Sequence, residues 1–214
     1  DLANFYAGRL ITPGTLVAVF LATSDEALPI LVSQPGALPD LLLLLGVKLV
    51  SGTVFGLLTD VLWRRLPHRE ASRPFEDLCR DCGCEEHGIV RSALVHTGKV
   101  ALFLLLVNLV LGGAIHLVGE ERISQVLLSG SVFQPLLAAL IGFIPNCASS
   151  VILTELYLSG SLSFGAAVAG LCTGAGVGLA VLFQYNRRWK ENLLLVGILY
   201  VSAVITGLVC GAVF

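Results

Sequence analysis

Three observations predict an all-α polytopic membrane protein. Hydrophobic residues fill 56% of the 214 positions and charged ones only 13%, for a mean hydropathy of +0.88, where a soluble domain carries about twice that share of charge. Several apolar runs reach the roughly 20 residues a helix needs to cross hydrocarbon, and none alternates in the roughly ten-residue segments of a membrane barrel. Polar interruptions inside two of these runs recur at corresponding places, as in a duplicated unit. The lipid bilayer is therefore the first partner expected, and nothing supports a nucleic-acid partner. The net charge of −2 says little, because the placement of positive residues carries the topology signal. The chain starts at Asp1, has no Met and lacks a signal-peptide pattern, so the expectation is a fragment lacking N-terminal helices.

The first apolar run, residues 10 to 34, is interrupted by Thr23-Ser24-Asp25-Glu26 before Pro29. Carboxylates at membrane depth are rare and face polar cavities, which makes Asp25 and Glu26 functional candidates; the plainer alternative is Asp25 capping a helix at the water interface. From Leu38 to Trp63 the sequence predicts a spanning helix carrying Lys48 in its middle and Asp60 near its end. Lys48 has two readings there, pairing with a carboxylate or snorkelling. Residues 64 to 91 are polar and rich in arginine, which assigns the loop to the cytoplasm. A further span over residues 92 to 118 holds His96 near its start, equally readable as a packing histidine or as a proton or metal ligand.

The stretch Gly142 to Gly160 holds Pro145, Asn146, Cys147, Ser149 and Ser150, followed by Thr154, Glu155 and Tyr157. A lipid-facing helix is not written this way: broken backbone at membrane depth survives only when packed in protein or lining a wet cavity. A kinked structural helix is the plain reading; a broken or re-entrant helix at a substrate site is the sharper one. Residues 161 to 183 predict a span with Ala166, Gly170, Gly174 and Gly178 on one face, a seam for close helix packing. Arg187, Arg188 and Lys190 form a second basic loop, and a last span follows from Leu193 to Val213.

Sliding residues 10–60 onto 134–184 at an offset of 124 puts the interrupted segments in register, with Gly36 on Gly160, Leu38 on Leu162 and Gly46 on Gly170. The fold expectation is thus a duplicated unit of broken or re-entrant helix plus spanning helix. Repeat one takes residues 1–63, a cytoplasmic Cys/His loop 64–91, a connecting span and outer loop 92–131, repeat two 132–184, and a basic loop with the last span 185–214. If both basic loops are cytoplasmic, residues 132–158 form a hairpin; if that stretch crosses completely, the repeats are inverted. Paired interruptions of this kind point to a transporter's binding site.

In the cytoplasmic loop, Cys79, Cys82, Cys84 and His87 fall within nine residues and are able to converge on one soft or borderline metal ion. No permanently bound cofactor is expected beyond such an ion. A redox-sensitive thiol cluster and an inert reduced loop are the alternatives.

Thr23-Ser24-Asp25-Glu26-Ala27-Leu28-Pro29, the Cys79/Cys82/Cys84 loop leading to His96-Thr97, and Ile144-Pro145-Asn146-Cys147-Ala148-Ser149-Ser150 with Thr154-Glu155-Leu156-Tyr157 together resemble the heavy-metal exporter family of about ten transmembrane spans. Its members are labelled arsenic efflux proteins or manganese transporters. The resemblance covers most of the chain, which departs from the pattern in having too few spans. It implies a multi-pass exporter of an inorganic ion in the prokaryotic inner membrane.

The expected function is a secondary transporter of a metal or metalloid ion, proton-coupled. Thr23, Ser24, Asp25 and Glu26 would bind from one repeat and Asn146, Cys147, Ser149, Ser150 and Glu155 from the other. Asp25, Glu26, His96 or Glu155 would carry the coupling protons. A passive channel and an oxyanion transporter are the alternatives, and a homo-oligomer is left open. An enzyme is disfavoured, because neither a His-Glu-x-x-His motif nor a Gly-x-Ser-x-Gly elbow with a plausible base occurs.

Overall fold

The computed structural model describes residues 10–23, 27–34, 36–65, 133–144, 147–174 and 189–213, with Tyr6 and isolated positions between 98 and 113 and between 178 and 183. Every regular element among them is helical: α1 (Pro13–Ala22), α2 (Ala27–Ser33), α3 (Leu38–Arg65), α4 (Gln134–Gly142), α5 (Cys147–Leu158), α6 (Phe164–Thr173) and α7 (Trp189–Val213).

Local chemistry starts α1 with three devices. Thr12 is the N-cap, its hydroxyl accepting from the Thr15 N–H at 3.1 Å, and Pro13 opens the helix, where its missing N–H would have had no partner anyway. Asp60, far along the chain on α3, completes the cap: Oδ1 accepts from the Gly14 N–H and Oδ2 from the Thr12 hydroxyl, both at 2.8 Å. A carboxylate there also suits the positive end of the helix dipole. Asp60→Ala leaves that N–H unpaired, and we expect a loss of about 1–2 kcal/mol, read as a lower melting temperature in detergent. Asp60→Asn, which keeps one acceptor, should lose less.

From this anchor α1 runs antiparallel to α3, with Gly14 on Gly56, Ala18 over Gly52 and Gly56, and Ala22 on Gly52. Small residues bring the two backbones together. After the interruption α2 continues in the same direction, its Leu31 sharing a small cleft with Leu44 of α3. Gly36, at φ 99°, then turns the chain into α3. The interrupted stretch Pro13–Ser33, α3 and α7 are each long and apolar enough to cross a membrane, and Leu42, Leu49, Leu57 and Val61 leave one face of α3 apolar and exposed.

In the second unit the first half-helix follows a different path. Gln134 at the start of α4 reaches Ser161 and Ser163 at the start of α6, while further along Ala138 and Gly142 pack on Gly170 and Ala139 on Thr173. Helix α4 is therefore parallel to α6. Helix α5 returns antiparallel to both, Leu153 meeting Gly170 and the Tyr157 ring lying 5.8 Å from that of Phe164. So α4 and α5 form a re-entrant hairpin that enters and leaves at one end. Its exit is a Schellman cap: Gly160 at φ 74°, with Gly160 N–H to Tyr157 O and Ser161 N–H to Leu156 O, both 2.9 Å.

The two units thus repeat in parallel from the interruption onward. Half-helix, positive-φ glycine and long helix recur as α2–Gly36–α3 and α5–Gly160–α6, and α2 touches α5 while α3 lies alongside α6. They differ before the interruption, where α1 approaches from the Arg64/Arg65 end and α4 from the Gly160 end. The second interruption also comes one turn early: α4 stops at Gly142 and α5 has begun by Cys147, so Cys147 to Ser150 lie in the first turn of α5 and not in the break.

A second difference concerns the span expected over residues 161–183. Helix α6 ends at Thr173, and Gly174 leaves the helix with φ −64° and ψ 53°. Continuing the helix through Gly174-Ala175-Gly176 would cost backbone entropy. Residues Gly165 to Thr173 are all buried, because α6 sits between α4, α5 and α7. The expected seam of Ala166, Gly170, Gly174 and Gly178 is therefore cut after Gly170: Gly170 packs on Ala138, Gly178 beyond the helix end meets Phe20, and the close approach to α7 is made by Gly165 on Gly207 and Gly211.

Candidate functional site

The hairpin tip must satisfy the carbonyls that helix α4 leaves open at its end. Phe143 N–H turns to Leu140 O at 3.2 Å and Ile144 N–H to Ile141 O at 3.0 Å, a tightening that takes the usual donor away from Ala139 O. The buried Thr173 of α6 replaces it, donating its hydroxyl to Ala139 O at 2.7 Å. On the returning arm, Ser149 donates to Ile144 O at 3.3 Å and Thr154 to Ser150 O at 2.7 Å. Ser149, Ser150 and Thr154 are all buried, so the start of α5 turns hydroxyls inward, where a lipid-facing helix would place apolar side chains.

Helix α3 of the first unit runs antiparallel to α5 and reaches it through side chains. Asp40 sits beside the Tyr157 hydroxyl, and Leu44 shares a cleft with Thr154, Ala167 and Leu171. One turn further along α3 stands Lys48. Lys48 is 2% exposed, and its ammonium donates to Leu171 O at 2.9 Å. Leu171 belongs to the last turn of α6, where the negative end of the helix dipole favours a cation. On the other side, Ala22 over Gly52 and Leu31 beside Leu44 bracket Lys48, so the chain entering and leaving the first interruption flanks the same level of α3.

Of the binding residues expected from sequence, the structure gathers Ser149 and Ser150 on the hairpin and adds Thr154, Thr173 and Lys48. Thr23 ends α1 with an exposed side chain whose hydroxyl donates to Phe20 O at 3.0 Å. Glu155, one residue beyond Thr154, is exposed and does not join the buried hydroxyls. Cys147 opens α5, but its side chain lies outside the described residues, as do Ser24, Asp25, Glu26, Asn146, Cys79, Cys82, Cys84, His87 and His96. Lys48 neither snorkels nor relies on a carboxylate alone, since a main-chain carbonyl takes one of its protons. The signal for Thr173 was weak: one threonine ahead of a glycine pair.

No curated protein and no solved structure matches the chain. The family model described as "Putative, 10TM heavy-metal exporter" matches residues 97–213, more than half of the 214, and takes in the hairpin, α6 and α7. The chain belongs to this family of ten-span heavy-metal exporters.

Proposed function

We propose that the chain is a secondary transporter exporting an inorganic metal or metalloid ion, of the arsenic or manganese class, across the prokaryotic inner membrane in exchange for protons. The observation that carries this reading is the re-entrant hairpin: a chain reversal packed among helices, with Ser149, Ser150 and Thr154 buried on its returning arm. Irregular backbone at such a depth marks the binding site of a transporter. In this reading Asn146, Cys147, Ser149 and Ser150 meet the ion from the hairpin, and Thr23 to Glu26 meet it from the first interruption. Asp25 and Glu26 exchange the protons, with His96 as a further candidate, and exposed Glu155 serves solvent-side exchange and not binding. Cys79, Cys82, Cys84 and His87 hold metal in the cytoplasmic loop before it reaches the membrane. The Arg64/Arg65 end faces the cytoplasm by the positive-inside rule, which opens the hairpin to the outer side.

The test is uptake into everted membrane vesicles of manganese, arsenite, arsenate and phosphate, with and without an imposed pH gradient, for the parent chain, Cys147→Ser and Ser150→Ala. One parent cargo should accumulate against its gradient, and each substitution should slow it about tenfold or more, the effect of one lost hydrogen bond to a charged group. Movement only down a gradient would make the chain a channel. Parent-like rates in both variants would remove the hairpin as the site.

A further inference from the structure

At the end where the hairpin enters and leaves, the two units enclose a cleft that takes a wall from each half-helix and from each helix that follows it. Leu31 comes from α2, Asp40 and Leu44 from α3, Thr154 and Tyr157 from α5, and Leu171 from α6. Thr154 ties the cleft to the buried hydroxyls of the hairpin, donating to Ser150 O at 2.7 Å. Asp40 and Tyr157 stand nearer the turns, Asp40 four residues after Gly36 and Tyr157 three before Gly160. The cleft thus lies between the hydroxyl face and the end of the bundle that the exporter reading turns outward. It is shut: a free volume of about 10 Å³ holds a single water, too little for an ion with its hydration shell.

A polar pair closes it. The Tyr157 hydroxyl faces the Asp40 carboxylate from the other unit, and the same ring lies 5.8 Å from that of Phe164. Asp40 and Tyr157 are both half-buried, so water is at hand to replace their contact, and a bond exchanged for hydration is worth far less than one broken in a dry core. Behind each half-helix the chain turns at a glycine of positive φ, 99° at Gly36 and 74° at Gly160. Nothing lies within 4 Å of a Cβ added at either, so both turns are free of packing, as a hinge requires.

We propose that Asp40 and Tyr157 form the latch of the transporter's release-side gate, which opens when the α2–α3 and α5–α6 units part at this cleft. The proposal rests on the exporter reading and its orientation. Rocking of one repeat against the other around a fixed site breaks and remakes a contact of this kind once in each cycle.

Leu44→Cys puts a thiol in the cleft, and its labelling by a membrane-impermeant maleimide is timed in right-side-out and in everted vesicles, above the labelling of the parent's own cysteines. Adding Asp40→Ala or Tyr157→Phe should speed labelling from the outer side by about tenfold or more, the worth of one hydrogen bond to a charged group. The rate in everted vesicles and the labelling of buried Cys210 should stay as they were. Equal rates with and without the latch substitutions overturn the proposal, and so does a matching rise at Cys210, which marks a general loosening. In a second arm, Asp40→Cys with Tyr157→Cys is joined by a short, cleavable bifunctional thiol reagent, and uptake of manganese, arsenite, arsenate and phosphate is followed in everted vesicles beside the parent treated alike. The linked chain should lose most of its uptake of the ion that the parent moves and regain it on cleavage. Undiminished uptake by the linked chain overturns the gate and leaves the exporter reading in place. A parent that moves none of the four ions removes the exporter reading, and the gate with it.

Discussion

Gly142→Ala is expected to be the most damaging single methyl group in the chain. A Cβ at residue 142 would press on Gly170 O and the Thr173 hydroxyl of α6. The first of these is main chain and cannot rotate away, so α4 and α6 must separate. Separation costs the Thr173 bond to Ala139 O and opens the contact of Ala138 with Gly170, both of which hold the hairpin tip. Overpacking alone costs about 1–3 kcal/mol and occasionally more, and an orphaned buried carbonyl adds about 1–3 kcal/mol. A net loss of about 3–4 kcal/mol is the expected outcome, seen as a poor yield of monodisperse protein and a much lower melting temperature in detergent. Gly197→Ala on α7 is the control, since nothing lies within 4 Å of the added methyl and helix propensity favours alanine by about 1 kcal/mol. A Gly142→Ala chain that melts with the parent would mean that α4 and α6 are not in backbone contact.

Why the partner of that seam was invisible in sequence, while other features were legible, comes down to local against tertiary information. The long helices α3 and α7 could be read directly, because a run of 25 residues or more of apolar character has few other fates. Gly36 and Gly160 were legible as a pair at one offset, and both turn out to need φ > 0. The path of the first half-helix was not legible. Helices α1 and α4 are apolar stretches of 10 and 9 residues, and whether the chain then continues or folds back depends on which partner their small residues meet, Gly56 and Asp60 or Gly170 and Thr173. The end of α6 hides in the same way, because hydropathy does not change at Gly174. At the site, Ser149 and Ser150 announced themselves as hydroxyls in an apolar run. Glu155 did so equally and lies outside, since a single step of about 100° around a helix decides burial. Lys48 was visible as a charge, but one of its partners is a carbonyl, a group every residue carries.

Gln134→Leu tests the other end of the hairpin. Gln134 is buried at the first turn of α4, donating through Nε2 to Ser161 O at 3.3 Å and accepting at Oε1 from the Ser163 N–H at 3.3 Å and the Ser163 hydroxyl at 2.9 Å. That same hydroxyl caps α6 by accepting from the Ala166 N–H. One side chain therefore joins the entry of the hairpin to its exit and to the start of the following helix. Leucine fills a similar volume and offers none of these bonds, leaving an N–H and a carbonyl to find other partners at about 1–3 kcal/mol each if they stay buried. Because this end lies near the turn at Gly160, water can reach part of the deficit, and the net cost should be about 2–3 kcal/mol, confined to the hairpin. Local opening governs amide exchange, so protection at 161–166 and along α4 should fall by roughly 30- to 150-fold while α3 stays as protected as in the parent. Uniform loss of protection across α3 and α4 would instead show the two units unfolding as one. Unchanged exchange at 161–166 would show that the hairpin is held by its small-residue seam alone.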